Sequence, residues 1–255
     1  MKRKREIERK TEIKSAIEEL SLIIKFNNNN NHKNNNTKIM GSSSNTSSST
    51  LDNNTSNNKE DDCFQQVVVS KIPTRPFISL CSSILQVLDK IGPTMAVLRQ
   101  DIFKNIQRLE MLYETNPEKY SYLVDILNKE AVDRNAKKGD TSSKALVWLT
   151  RCLDFTAALL QRLIIDPKES MEQIVGDAYE ITFKPWHGWI AAAAFRVALK
   201  LIPDTDTFIN LLKDKDHNFD TLKDDIQSFL SLLVPLLEDL HSTLSSYGLE
   251  KLKSA

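Results

Sequence analysis

The sequence predicts an all-α protein of about eight helices, and three observations carry that prediction. Beyond residue 64 apolar side chains recur at helical spacing along most of the chain. The six glycines are isolated, and Gly-Pro, Asn-Pro and Asp-Pro pairs punctuate the pattern at intervals that suit helices. Only one short run, at 67–72, has the β-branched character of a strand, and no second run exists for it to pair with.

Taken in order, Glu6 to Phe26 places Ile13, Ile17, Leu20 and Ile24 at steps of four, three and four, an apolar stripe on an otherwise charged helix. Two heptads are marginal for an autonomous coiled coil. Residues 1–26 therefore read as a solvated, partly formed helix, a helix that binds a protein partner or a second copy, or a basic helix lying on a membrane surface. Lys2–Arg5 also matches the low-specificity pattern of a nuclear localisation patch. Residues 27–63 read as a disordered linker: positions 27–58 hold 13 Asn and 11 Ser/Thr among 32 residues, too little apolar surface to offset the entropy of ordering.

Residues 64–255 form the main domain. Positions 67–72 give an extended lead-in that Pro73 and Pro76 close. Helices are expected at Phe77–Ile91 before Gly92-Pro93, at Ala96–Tyr113 before Asn116-Pro117, and at Glu118–Asn135. A loop at 137–140 follows, and Thr141 or Ser142 caps a long helix from Lys144 to Ile165, which Asp166-Pro167 ends. Four more fit Ser170–Phe183, Pro185–Leu201 (with Pro185 marking its start), Thr205–Lys213 and Leu222–Tyr247.

Charge and cysteine usage exclude several classes of function. The 34 basic and 34 acidic side chains divide unevenly: residues 1–60 hold 11 against 7, leaving 23 against 27 in residues 61–255. A mildly acidic domain has no electrostatic footprint for nucleic acid. Cys63, Cys81 and Cys152 are odd in number and far apart, which suits a reducing, cytoplasmic compartment rather than a disulfide framework. Glu6, Glu8, Arg9, Lys10 and Glu12 occupy the place of a signal peptide's apolar core, and no run reaches the roughly 18 apolar residues of a membrane span.

Enzyme templates find no match: there is no phosphate-binding glycine loop, no His-Glu-x-x-His, no Cys-x-x-Cys and no Gly-x-Ser-x-Gly turn. No metal or cofactor is expected. His217 and His241 have polar neighbours, whereas His187 sits in Trp186-His-Gly-Trp189, before Ile190 and four alanines that would let another helix approach. That cluster reads as an aromatic core anchor or as a site. Asp101, Asn105 and Arg108 fall on one helical stripe; they make either a solvated face or an acceptor, an amide and a guanidinium able to hold several sugar hydroxyls. On the helix whose buried face takes Leu146, Leu149, Leu153, Leu160 and Leu163, Trp148 lies off centre, as a packing residue or as a flat ring offered to a ligand.

Together these segments resemble the glycolipid transfer protein family. The resemblance spans about residues 75–250 and rests on Asp101-Ile-x-x-Asn-Ile-x-Arg108, Trp148-Leu-x-Arg-x-Leu-x-Phe155 and Ala178-Tyr-Glu…Trp-His-Gly-Trp-Ile190. It implies a two-layer helical sandwich that encloses a sphingolipid's chains, holds the head group at the surface and transfers the lipid between bilayers without covalent chemistry. By that resemblance Asp101 accepts from the ceramide amide and a sugar hydroxyl, Asn105 bonds hydroxyls, Trp148 stacks under the sugar, and His187 donates to the amide carbonyl. Arg108 stands where glycolipid-binding members commonly carry Lys. The family's ceramide-1-phosphate branch replaces the Asn and the Trp with cations; this chain keeps Asn105 and Trp148, which points to glucosylceramide or galactosylceramide. Lys144, Arg108 and Arg151 keep a phosphate or sulfate open. Trp186 and Trp189 are expected to dock transiently on membranes. Phe77, Leu80, Leu85, Phe103, Phe183, Phe195, Leu199 and Phe229 suit a lipid pocket or an ordinary core. The alternatives are a ceramide-1-phosphate carrier and a helical scaffold that engages a protein through its N-terminal helix.

Overall fold

The computed structural model describes residues 10–39, 70–137, 139–214 and 217–253. Among them are nine α-helices and no strands: α1 (Glu12–Ile39), α2 (Thr74–Ile91), α3 (Ala96–Thr115), α4 (Leu123–Val132), α5 (Ser142–Ile165), α6 (Met171–Thr182), α7 (Trp189–Leu199), α8 (Thr205–Leu212) and α9 (Phe219–Ser246). A single 3-10 turn, Pro93–Met95, joins α2 to α3. The Lys2–Arg5 patch, Cys63, positions 67–69 and the Asn/Ser/Thr-rich tract from residue 40 onward lie outside the described residues.

The helices form two layers. One holds α1, α2 and α3 with α8 against α2; the other holds α9, α5 and α6. Contacts of α3 with α5 and of α1 with α9 close the ends, so five helices make a ring around one core. Leu20, Phe77, Leu109, Leu146, Leu149, Leu163, Ile226 and Leu233 meet inside it with almost no exposed surface. Burying each such side chain stabilises the fold by about 1.5–3 kcal/mol relative to exposure.

Proline, glycine and polar caps set the helix ends as the sequence predicts. Pro73 precedes α2, Thr74 Oγ1 donates to the Tyr120 carbonyl at 2.7 Å, and Gly92 stops the helix at φ 107°, a conformation that a side chain disfavours. Thr141 Oγ1 accepts from Lys144 N and caps α5; Ser170, Asp204 and Asn218 do the same for α6, α8 and α9. Pro235 is tolerated inside α9 because it sits on the exposed face, where the carbonyl it leaves unpaired, that of Ser231, meets water.

Three features differ from the sequence reading. The first helix runs past Phe26 to Ile39 and is part of the core: Ile13, Ala16, Leu20 and Ile23 are buried against α2 and α9. Ile13 and Leu20 are buried as the pattern suggested, while Ala16 and Ile23 take the centre of the stripe and Ile17 packs at its edge. Ionic contacts fasten the same helix: Lys14 reaches Asp214 at 2.9 Å, and Lys90 pairs with Glu12. The third expected helix starts at Leu123 rather than Glu118, where Tyr122 and Asp125 make a capping box. Pro185 does not open α7: the Phe183 carbonyl accepts from both Trp186 N and His187 N, which prolongs the end of α6 as a turn, and Gly188 is the N-cap.

Candidate functional site

The site grows from the junction of α3 with α5. On α3, Asp101 is exposed, Asn105 is buried and Arg108 lies between these extremes. Asn105 Nδ2 donates to the Asp101 carbonyl at 3.1 Å, and its Oδ1 accepts from Arg108 Nη1 at 3.0 Å. Arg108 Nη2 reaches Asp140 at 2.7 Å. The stripe is thus a wired set: the amide is fixed by its neighbours and Arg108 turns toward Asp140 rather than pairing with Asp101.

Across the junction α5 presents Lys144, Trp148 and Arg151. Two buried oxygens outside that helix hold its first turn, since Glu130 on α4 accepts from Ser142 N at 2.9 Å and Ser143 N at 2.8 Å. Ser142 Oγ also donates to the Arg108 carbonyl, tying the two site helices together. The indole of Trp148 is half-buried and lies near Phe183 (centroids 6.4 Å apart, planes 18° apart) and His187 (5.7 Å). Phe183 stacks on His187 at 5.0 Å, and Tyr179 continues the cluster to Phe195 on α7 at 3.6 Å.

His187 enters from the turn between α6 and α7. Its Nδ1 is buried and has no hydrogen-bond partner among the described residues. Burial, and secondly the charge of Arg151, push its pKa below the ordinary histidine value, opposed by Asp101. It is therefore neutral at pH 7, with one ring N–H to donate.

Arg151 is 4% exposed, which is unusual for a cation. Nη2 donates to the Glu250 carbonyl at 2.8 Å, Nη1 is buried without a partner among the described residues, and Cζ lies 4.7 Å from the Trp148 ring centroid and 4.3 Å from that of Trp186. Burial lowers its pKa to about 10, while Asp154 and Glu250 resist; the group stays charged at neutral pH. His241 on α9 bonds Asp154 at 3.0 Å and faces Glu250 at 3.6 Å, so its pKa is raised, first by the Asp154 bond. Polar sequence neighbours gave no hint of this inter-helix link.

The two expected docking tryptophans occupy different surroundings. Trp186 is half-buried on Arg151, whereas Trp189 is 81% exposed. Ile190 next to it is exposed, as are Val197 further along α7 and Ile181 on α6, and α7 has no fully buried residue; its main neighbour is α6. Ala193 and Ala194 are exposed, so the alanine run does not seat another helix as expected. A groove of about 610 Å³ separates α6 from α7, lined in part by Gly176, Tyr179, Ala192 and Phe195. Of the apolar residues expected at a pocket or core, Phe77, Leu80, Leu85 and Phe229 are buried, while Phe103, Phe183, Phe195 and Leu199 pack at its edge. Among the described residues no group of His, Cys, Asp or Glu could hold a metal ion, and no helix is long and apolar enough to cross a membrane.

Comparison with known proteins gives a consistent family. The family described as glycolipid transfer protein matches residues 72–214. Glycolipid transfer protein 3 of Arabidopsis thaliana is 54% identical over 190 residues, 74% of this chain and 82% of that protein. Glycolipid transfer protein 2 of the same plant is 45% identical over the whole of both chains. Among solved structures, the one described as showing how FAPP2 selects simple glycosphingolipids using the GLTP fold superposes with a TM-score of 0.68 at 28% identity, covering 73% of this chain and 91% of that one. A mutant of Arabidopsis accelerated-cell-death 11 complexed with C12 ceramide-1-phosphate gives a TM-score of 0.70 over 94% of this chain and 98% of that one; at 16% identity it shares the fold.

Proposed function

The chain belongs to the glycolipid transfer protein family, whose members are lipid transfer proteins and not enzymes, and on that premise we propose that it carries glycosphingolipids with a simple sugar head group, such as glucosylceramide or galactosylceramide, between membranes. The observation that carries this reading is that Asn105 on α3 and Trp148 on α5, two helices packed together, stand at positions where cations would suit a phosphate. The exposed part of the half-buried indole would stack on the apolar side of a pyranose ring. Asp101 and Asn105 supply acceptors and a donor for the hydroxyls.

Ceramide recognition follows from the unpartnered Nδ1 of His187. A buried ring nitrogen without a partner is costly, and a neutral imidazole donating from it meets the ceramide carbonyl, while Asp101 accepts from the amide N–H. A site that satisfies both halves of an amide rejects lipids lacking one. The hydrocarbon chains would enter between the layers past Phe103, Phe183 and Phe195. Transient membrane contact would run through Trp189 and Ile190, since indoles favour the bilayer interface. The site would work in the cytoplasm, without a cofactor and without nucleic acid.

Ceramide-1-phosphate is the second reading, favoured by the unpartnered Nη1 of Arg151 and by the further cations Lys144 and Arg108 on the same pair of helices. Transfer of fluorescent glucosylceramide, galactosylceramide and ceramide-1-phosphate between two vesicle populations separates the two. The glycosylceramides should move, and Asp101→Val and Trp148→Ala should each slow them by about tenfold or more. Movement of ceramide-1-phosphate alone would overturn the assignment of the sugar site.

A further inference from the structure

Arg151 occupies a position that neither lipid recognition nor core packing explains by itself. A guanidinium that is 4% exposed, with one nitrogen unpaired, carries a desolvation cost that the nearby charges of Asp154 and Glu250 offset only in part. What surrounds it is specific: the Trp148 ring at 4.7 Å on one helix, the Trp186 ring at 4.3 Å on the turn before α7, and the Glu250 carbonyl at 2.8 Å beyond the end of α9. Leu249, fully buried next to Glu250, anchors that carbonyl. Cation–π contacts of a desolvated guanidinium are among the stronger ones and hold each ring in a set orientation.

We infer that Arg151 is a positioning residue that couples head-group occupancy at Trp148 to membrane engagement by the Trp186–Trp189 turn. The inference rests on the glycolipid reading above. A sugar ring stacking on Trp148 fixes that indole, and through the shared cation it alters how freely Trp186 swings with the turn that leads into Trp189. Membrane engagement that moves Trp186 acts back on Trp148 through the same cation. Such coupling is reciprocal by necessity, so a lipid-loaded protein and an empty one must partition differently onto a bilayer. A second route exists through the ring cluster of Phe183, His187, Tyr179 and Phe195, and the experiment must separate the two.

The full chain, empty or preloaded with octanoyl glucosylceramide, is sedimented with phosphatidylcholine vesicles, and the ratio of the two partition coefficients is read. In the wild type that ratio should differ from one by about fivefold, the lower range of such couplings. Arg151→Met keeps the bulk and removes the cation, and Trp186→Leu removes the other end of the bridge while leaving Arg151 in place; in both the ratio should fall to near one. Arg151→Lys, which keeps the charge without the plane, should restore part of it, an outcome that loss of folding would not give. A wild-type ratio of one overturns the inference. So does full coupling in both Arg151→Met and Trp186→Leu, which would assign the link to the ring cluster. A wild type that neither loads nor transfers glucosylceramide sinks the glycolipid reading and the coupling with it, whereas normal transfer with unchanged coupling sinks the coupling alone.

Discussion

Glu130 is the buried group on which the start of α5 depends, and its removal should be felt throughout the site. Its carboxylate is 6% exposed and accepts from Ser142 N at 2.9 Å and Ser143 N at 2.8 Å, two of the four amides that no α-helix satisfies internally. Hydrogen bonds to a charged group contribute about 1.5–3 kcal/mol each, and a buried amide left without a partner costs about 1–3 kcal/mol. The negative charge at a helix N-terminus adds about 0.3–1 kcal/mol. These contributions overlap, so Glu130→Ala should destabilise by about 3–4 kcal/mol. At roughly 2–4 °C per kcal/mol for a domain of this size, Tm should fall by about 6–16 °C. The neighbouring Asp133, which pairs with Lys129 at 2.8 Å on the exposed surface, is the control: Asp133→Ala should shift Tm by about 2 °C or less, because exposed i,i+4 pairs contribute about 0.3–0.5 kcal/mol. Differential scanning calorimetry of both variants decides the matter. Equal shifts would refute the reasoning, since the distances are nearly the same and only burial distinguishes the pairs.

Other expectations follow from the same physics. Leu20→Ala should destabilise by about 2–5 kcal/mol in urea unfolding, while Leu22→Ala, on the exposed face of α1, should change little; comparable effects would mean α1 is not part of the core. Proton NMR should find His241 titrating above the ordinary histidine value and His187 below it. The raised group contributes stability that is complete below about pH 6.5 and is lost as pH rises through its folded pKa, so His241→Gln should abolish that part of the pH dependence. Cys81 and Cys152 are buried, with the Cys152 thiol pushed up to about 12 by burial, and site-resolved alkylation of the native protein should leave both unmodified.

The helices of the main domain were legible because their ends are written locally. Gly92-Pro93, Asn116-Pro117 and Asp166-Pro167 act on their own backbones, and Thr141 caps the helix that follows it. The order of Asp101, Asn105, Trp148 and His187 was legible as a pattern, and the structure packs α3 on α5 and sets the His187 ring 5.7 Å from that of Trp148. Pairings between distant segments were not legible: nothing local ties Glu130 to Ser142, His241 to Asp154, or Arg151 to Trp186. The role of α1 was missed because its apolar stripe is short and nothing local shows that α2 and α9, far away in sequence, cover it. Its burial also removes truncation of the N-terminus as a clean test of a scaffold role, since lost partner binding and lost folding would look alike.

The ring of five helices separates what is recognisable from what can stand alone. The segment matched by the family's description, residues 72–214, contains neither of the two 28-residue helices, α1 and α9, that complete the ring. Cut to that segment, the chain would keep every residue of its lipid-binding signature and leave the inward faces of α2 and α5 open to water. The signature is therefore smaller than the folding unit.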